Sequence, residues 1–334
     1  MDLFLAIATD NLLSAPVLFF TLGFAATFGG AHLAMPEGAA KMVGVYLMLA
    51  IGFKGGVSLA AHPFEWTLIW VLVAGIALSA LIPLLGFFLL GRLTALNSAE
   101  RAAIAAHYGS ISIVTFVAAS SALTQLGIEF EGYMVAVAAA METPAIITAL
   151  ILYYRYKSNS ESAAKAAPKP FNRAALNEVF LNATIVILLG AFAIGMITGE
   201  KGGADLAPFV SAPFKGILCL FLLEMGAIAA KGARLGMRDM TKGLVGFAIL
   251  MPLIGATLGT VIAAVIGLST GSTALLITLA ASASYIAVPA AMRLAIPEAR
   301  PSIYLTLSLG VTFPFNLMIG IPLYVSVAQA MVGA

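Results

Sequence analysis

Long apolar stretches alternate with short polar segments along this chain, and the pattern predicts membrane-spanning helices. Turn residues and charges delimit about ten apolar runs, most of them near the roughly 20 residues that a helix needs to cross a bilayer. Five runs precede a polar segment near the middle of the sequence and five follow it. The runs lie at about 12–31, 37–60, 66–91, 101–126, 132–154, 176–198, 213–231, 242–268, 273–295 and 303–331.

The polar segment between the fifth and sixth runs resembles a linker in composition, with Pro168 and Pro170 among Ser, Asn, Glu and Lys residues. We therefore predict a first five-helix repeat at 1–156, a cytoplasmic linker at 157–174 and a second five-helix repeat at 175–334. With an odd number of helices in each half, the second half enters the membrane from the opposite side. Similar halves would then form an inverted repeat, which is typical of alternating-access transporters.

The two halves do share a weak sequence similarity, which is clearest in the fifth and tenth runs. The tyrosines that bound 133–153 have the same spacing as those that bound 304–324. Within these segments Glu142 and Thr312 take nearly equivalent positions, and each lies two residues before a proline. The sequence therefore predicts an all-α membrane protein of about ten transmembrane helices in two inverted repeats.

Composition supports this fold class and argues against an enzyme. Hydrophobic residues make up 61% of the chain, charged residues 10%, and the mean hydropathy is +1.05, whereas a soluble domain carries about 25% charged residues. The single cysteine, Cys219, permits neither a disulfide framework nor a thiol pair. No metal-ligand spacing, nucleophilic triad or phosphate-binding loop occurs in the sequence.

The basic residues predict how the chain is oriented. If the N-terminus is outside, most of the 17 Lys and Arg residues fall on the cytoplasmic side, as the positive-inside rule requires. The net charge of +2 does not indicate nucleic-acid binding. We therefore expect a multi-pass protein of the bacterial inner membrane with both termini on the periplasmic side. The acidic residues expected in the outer loops are Glu129, Glu131, Glu200 and Asp205.

The fourth and ninth runs are rich in small and hydroxyl-bearing residues at their centres. Gly109 and Pro289 lower the cost of opening a helix there, so we predict a break in each run and a crossing of the two breaks. Half-helix N-termini near the bilayer centre would offer N–H donors to a small anion. Close helix packing is the alternative role for these small residues. The predicted substrate-binding residues are Gly109, Ser110, Ser112, Thr115, Ser282, Ser284 and Tyr285.

Ionisable side chains inside the apolar runs are costly and indicate function or pairing. Glu142 could ligate a cation or carry a proton, or it could belong to a structural pair. We predict that Glu142 and Thr312 are the ion-coupling residues. Lys54 and Glu224 lie on the equivalent second and seventh runs, and we predict a structural ion pair between them. His107, beside the predicted break, could carry protons or could simply be packed.

Several segments together carry a resemblance to a known family. They are 51–56, 109–115, 141–145, 281–289 and 304–314, and the similarity extends from the second run to the C-terminus. In these segments the chain resembles the cyanobacterial-type sodium-dependent bicarbonate transporters. The resemblance implies an elevator-type symporter of bicarbonate and sodium, with a gate domain and a mobile core domain that are each built from both repeats. It also implies a homotrimer, a substrate held where the broken helices cross, and a small cytoplasmic nucleotide-sensing regulatory partner.

The chain departs from the pattern of that family at the crossing. Ile113 and Val114 replace a Gly and a Ser, Tyr285 replaces an Asp, and Glu142 replaces an Asp before the proline of the fifth run. The resemblance implies no cofactor other than Na+ as the coupling ion. Transport of another small monoanion or a carboxylate, either proton-coupled or uncoupled, remains the alternative. A membrane-embedded sensor or channel is a further alternative.

Overall fold

A computed structural model describes residues 2–31, 33, 35–61, 65–157, 183–236, 240–286 and 288–332. These residues form helices joined by short connections and contain no strand, which confirms the all-α class; the two inverted repeats stay a prediction. Eight helices in the described part are long and apolar enough to span a membrane, or nine if a bent pair near the N-terminus is one span. The predicted total of ten is not reached by this measure. Most of the predicted linker, 158–174, lies outside the described residues.

Apart from α1, the described helices of the first half correspond to the first five apolar runs, of which the fourth and the fifth are each divided between two helices. These helices are α1 (Asp2–Leu12), α2 (Ala15–Phe28), α3 (Glu37–Ala60), α4 (Trp66–Leu93), α5 (Ser98–Gly109), α6 (Ile113–Gln125), α7 (Met134–Ala140) and α8 (Thr143–Lys157).

The second half contains six described helices. They are α9 (Ala183–Val210), α10 (Phe214–Gly236), α11 (Lys242–Ile266), α12 (Thr270–Ala281), α13 (Val288–Ala295) and α14 (Pro301–Val332). The α9 helix continues beyond the predicted end at 198 through a bend at Gly199, where φ is 55°. The α14 helix contains two wide π-helical stretches, Thr306–Thr312 and Asn316–Gly320.

The predicted breaks in the fourth and ninth runs are confirmed. The fourth run ends its first helix at Gly109 and begins its second at Ile113. The ninth run ends its first helix at Ala281, and its second, α13, begins at Val288. Pro289 lies in the first turn of α13, where its missing N–H would have had no partner in the helix anyway. The proline therefore fits the start of a half-helix that follows the break.

Two features of the fold were not predicted. A separate helix, α1, precedes the first predicted run, and it meets α2 at a bend of 59°. The Asn11 side chain donates a hydrogen bond of 2.8 Å to the Leu317 carbonyl and so fastens α1 to α14. The fifth run is also divided, at Met141 and Glu142, between α7 and α8.

The described helices pack as two groups. In the first group, α2 packs on α10 and α3 packs on α9, with glycines at both interfaces. A methyl group at Gly226 would lie 2.1 Å from the Phe20 carbonyl oxygen, and one at Gly56 would lie 2.0 Å from the Phe192 carbonyl oxygen. These backbones approach as closely as small residues allow in membrane helices. The second group contains α4, α5, α8, α11, α12 and α14, and it carries both confirmed breaks.

Candidate functional site

The two helix breaks contact each other through hydrogen bonds of their backbone. The Ser112 N–H donates to Ser282 Oγ at 2.9 Å. From the opposite break, the Ser284 N–H approaches the carbonyl oxygens of His107 at 2.7 Å and Ser110 at 3.2 Å. Backbone groups that leave a helix inside the membrane need such partners. Each break therefore supplies part of what the other one lacks, and the predicted crossing is present.

The N-terminus of α6 opens at this crossing. Ser112 caps the helix, because its Oγ accepts a hydrogen bond of 3.2 Å from the Thr115 N–H. This cap satisfies the N–H of Thr115. Ile113 and Val114 come before Thr115 in the same turn, and the cap does not bond to their N–H groups. The positive end of the α6 dipole thus lies at the crossing, and such an end favours a bound anion.

Two buried polar atoms at the crossing, Ser110 Oγ and Tyr285 OH, have no hydrogen-bond partner in the described part of the chain. His107 Nε2, on α5 before its break, has none either. These three residues are 1%, 8% and 0% exposed, respectively. Leaving a buried polar group unpaired costs about 1–3 kcal/mol, and a water, an ion or a ligand commonly accounts for such groups. These atoms can therefore contribute to binding a polar ligand.

His107 presents a hydrogen-bond acceptor rather than a donor at its free nitrogen. Its Nδ1 lies 2.7 Å from the Ala103 carbonyl oxygen, an arrangement that requires the proton on Nδ1 in the neutral ring. Nε2 then carries a lone pair and needs a donor. The imidazole also stacks on Tyr304, with ring centroids 4.4 Å apart.

Tyr285 brings an aromatic ring into the crossing. Its phenol faces Ser112 across the two breaks, but the two groups do not have the geometry of a hydrogen bond. The ring packs edge-on against Phe313, with centroids 5.3 Å apart, and Phe313 in turn meets Phe20 at 5.4 Å. A neutral phenol can donate one hydrogen bond to an anion, but it is a weak ligand for a hard cation.

Glu142 lies in the break between α7 and α8 and is 5% exposed. Its carboxyl group has no hydrogen-bond or ion-pair partner among the described residues. Ala145, three residues further on, packs against Gly109, where an added methyl group would lie 2.9 Å from the Ala145 Cβ. Glu142 therefore lies about one helical turn along the chain from the contact with the end of α5.

Thr312 bridges two helices of the second group. The Tyr108 hydroxyl donates to Thr312 Oγ1 at 2.7 Å, because Thr312 uses its own proton for a 2.7 Å bond to the Ala248 carbonyl. One lone pair of the threonine oxygen remains. The predicted role of Thr312 in ion coupling stays a prediction, and its hydroxyl fixes the end of α5 relative to α11.

Asn316 holds the other half-helix. Its amide nitrogen donates to the carbonyl oxygen of Ala281, the last residue of α12, at 2.8 Å, and its side-chain oxygen accepts from Tyr324 at 2.8 Å. The residue is fully buried. Sequence reasoning missed it, although an amide inside an apolar run was a usable signal.

Comparison with protein families shows the superfamily of the chain. Residues 15–329 match the sequence profile of the Na+-dependent bicarbonate transporter superfamily. The chain belongs to this superfamily. The match covers nearly the whole chain and confirms the family resemblance. A comparison with curated proteins gave no match.

Membership in the bicarbonate transporter superfamily implies a small anion as substrate, and together with the apolar helices it indicates a multi-pass membrane protein. The structure brings six of the predicted substrate-binding residues to the crossing, and Thr115 adjoins it through the cap of α6. Their contact with a substrate stays a prediction. The six residues are Gly109, Ser110, Ser112, Ser282, Ser284 and Tyr285.

The predicted ion pair between Lys54 and Glu224 is not formed in this member of the bicarbonate transporter superfamily. Lys54 is exposed, and its ammonium group lies 5.1 Å from the centre of the Phe214 ring. Glu224 instead accepts a hydrogen bond of 2.9 Å from the Met35 N–H. Alignment of the two halves gave positions along the helices but not the faces on which they lie. The ion pairs found in the described part are Lys157–Glu298 and Arg300–Glu100.

Proposed function

We propose that this protein is a secondary active transporter that carries bicarbonate together with sodium, with the anion bound at the crossing of the two broken helices. The observation that carries the proposal is the meeting of the two breaks beside two unpartnered, buried polar atoms, Ser110 Oγ and Tyr285 OH. Family membership supplies the substrate class. No catalytic group is required for this function.

The chemistry of the crossing suits a small anion. The start of α6 and the hydroxyl groups of Ser110 and Tyr285 can donate hydrogen bonds to anionic oxygens. Family membership supports bicarbonate among such anions.

Glu142 is the proposed coupling group. A carboxylate without a partner in a buried helix break can ligate sodium or exchange a proton. Tyr285 takes the place of an Asp in the family pattern and removes one charged ligand. Cation dependence then rests on Glu142, and proton-coupled transport of another small monoanion or carboxylate is the second candidate function, favoured by this substitution.

The resemblance to the family also supports an elevator movement and a homotrimer. We propose that the two packing groups correspond to a gate and a mobile core. The distribution of basic residues supports an inner-membrane orientation with both termini on the periplasmic side. A cytoplasmic nucleotide-sensing partner remains part of the same proposal.

The test is uptake into proteoliposomes. Radiolabelled bicarbonate uptake is measured against sodium concentration at fixed pH and against pH at fixed sodium, with counterflow by small carboxylates as the competing substrate test. The natural protein is compared with Glu142→Gln and Tyr285→Asp. We expect bicarbonate uptake driven by a sodium gradient, loss of cation dependence in Glu142→Gln, and steeper sodium dependence in Tyr285→Asp.

Other results would reject parts of the proposal. Uptake that responds to pH but not to sodium would favour the proton-coupled alternative. Sodium dependence that survives Glu142→Gln would remove the coupling role of this carboxyl group. Counterflow by a carboxylate without any by bicarbonate would replace the substrate.

A further inference from the structure

A serine hydroxyl is inserted into the helix break that holds Glu142. Ser79, on α4, is fully buried, and its Oγ donates a hydrogen bond of 2.5 Å to the Met141 carbonyl oxygen. The same Oγ accepts a bond of 3.2 Å from the Ala145 N–H. In a continuous helix the Ala145 N–H would bond to the Met141 carbonyl directly. The Ser79 hydroxyl therefore replaces this one helical hydrogen bond, because it bonds both to the Met141 carbonyl and to the Ala145 N–H.

The local sequence explains why the helix is open here. Pro144 has no N–H, and it disfavours helical geometry in the residue before it. The Glu142 N–H bonds at 3.3 Å to the carbonyl of Ala139, three residues earlier, rather than four. Glu142 therefore lies inside a distorted turn whose width is fixed by the serine of another helix.

The same face of α4 also reaches the substrate crossing. Gly75, Ser79 and Pro83 are spaced four residues apart and so lie on one side of the helix. A methyl group at Gly75 would lie 3.1 Å from Met141 Cγ, and one at Gly109 would lie 2.2 Å from Pro83 Cγ. This face, Gly75–Ser79–Pro83, therefore touches both the Glu142 break and the end of α5.

We propose that Ser79 is a positioning residue that holds the α7–α8 helix open at Glu142 and thereby sets the affinity of the transporter for its coupling ion. The inference rests on the proposed coupling role of Glu142. Without the hydroxyl, Met141 and Ala145 either bond to each other or remain unpaired. Closure of that bond would turn the Glu142 side chain away from its present direction.

The Gly75–Ser79–Pro83 face also gives the ion site a contact route to the anion site. A change in the turn around Glu142 moves Ala145, which is bonded to Ser79 and packed on Gly109. Pro83 packs on the same glycine. Binding of the coupling ion therefore acts on the end of α5 through direct contacts.

The experiment measures the half-saturating concentration of the coupling ion, sodium or proton, for bicarbonate uptake. Ser79 is replaced by Ala, by Thr and Val, and by Cys. Thr and Val have the same shape, so they compare a side chain with the hydroxyl group to one without it. Loss of the two hydrogen bonds should raise the half-saturating concentration about tenfold in Ser79→Ala and Ser79→Val, whereas Ser79→Thr, which keeps the hydroxyl, should recover most of the affinity. Ser308→Ala is the matched control, because Ser308 is equally buried and bonds only to the Tyr304 carbonyl of its own helix.

The Glu142→Gln background separates this inference from the proposed function. If Ser79 acts through Glu142, Ser79→Ala causes no further loss of bicarbonate uptake in Glu142→Gln, whereas an additional loss there would mean that Ser79 acts independently of Glu142 and would overturn the positioning role. If Glu142→Gln alone leaves ion dependence unchanged, the coupling role of Glu142 is wrong, and the inference falls with it. If Glu142→Gln abolishes ion dependence while Ser79→Ala behaves like Ser308→Ala, only the positioning role is overturned.

Ser79→Cys covers the case in which the alanine and valine proteins do not fold. A thiol is a weak donor of similar size, so an intermediate shift in the half-saturating concentration supports the positioning role. Natural ion affinity in folded Ser79→Cys, together with natural affinity in Ser79→Thr, would overturn it.

Discussion

At the scale of single residues, the hydroxyl groups at the crossing differ in whether they have hydrogen-bond partners within the protein. Ser282 Oγ accepts a hydrogen bond from the Ser112 N–H and donates one to the Leu279 carbonyl. Ser110 Oγ has no partner in the described part of the chain. Both residues are 1% exposed, so burial alone does not distinguish their roles.

Alanine at these two serines should therefore have opposite effects. Ser282→Ala leaves the Ser112 N–H without a buried acceptor, and we expect it to lower the free energy of unfolding by about 1–3 kcal/mol. Ser110→Ala removes an unpaired polar atom, so thermal stability should be unchanged or higher while the KM for bicarbonate rises. Thermal unfolding in detergent and uptake kinetics provide the two measurements.

Each serine variant serves as the control for the other. Equal destabilisation by Ser282→Ala and Ser110→Ala would mean that Ser110 has a structural partner. A normal KM in a stable Ser110→Ala protein would remove Ser110 from the anion site.

At the scale of helices, the sequence predicted the breaks in the fourth and ninth runs because Gly109 and Pro289 have strong and local backbone effects. The break at Glu142 was missed even though Pro144 marked it. Its width depends on Ser79, which is far away in the sequence. The ion pair predicted between Lys54 and Glu224 was wrong for the same reason. The partners of these side chains depend on which faces of their helices pack together, and the sequence does not show this.

The α14 helix shows how an element can position a site that it does not form. Its wide turns place Thr312 and Asn316 beside the ends of α5 and α12, respectively. π-helical turns commonly occur at functional sites. They leave no clear periodic signal in an apolar run, so the sequence did not predict them.

Asn316 supplies the prediction at this scale. Asn316→Leu removes the donor to the Ala281 carbonyl and the acceptor of the Tyr324 hydroxyl. We expect a loss of about 1–3 kcal/mol in the free energy of unfolding together with reduced bicarbonate uptake, because the end of α12 is no longer held. The measurements are thermal unfolding and the maximal rate of uptake.

Asn11→Leu is the comparison for Asn316→Leu. Asn11 also donates a single 2.8 Å bond to a backbone carbonyl, that of Leu317, but it is only part-buried. It should cost less stability and leave the uptake rate near normal. Similar losses of uptake from both substitutions would argue against a particular role for the tie at Ala281.

At the scale of the whole molecule, the two packing groups differ in the nature of their interfaces. Close backbone contacts at Gly23, Gly56 and Gly226 join the helices of the first group. Contacts between the groups include single side chains, such as the Thr306 hydroxyl that donates to the Gly232 carbonyl at 3.1 Å. Single polar contacts of this kind can break and reform more easily than tightly packed backbones.

An elevator movement of the second group past the first predicts that a link between them stops transport. Cysteines at Thr306 and Gly232, on α14 and α10, are joined by a short thiol-specific crosslinker in a Cys219→Ala background. A methyl group at Gly232 meets no atom within 4 Å, so the substitution fits. We expect bicarbonate uptake to fall at least about tenfold on crosslinking, because the anion site can no longer change its side of exposure.

A link inside one group is the matched control for this experiment. Cysteines at Gly86 and Ala105 lie on α4 and α5, and a Cβ at Gly86 would be 3.7 Å from the Ala105 Cβ, within the range for a disulfide. Because both helices belong to the second group, oxidation of this pair should leave uptake near normal. Equal inhibition by both links would mean that α4 and α5 move relative to each other. Full uptake with the Thr306–Gly232 link in place would contradict an elevator movement between these two groups.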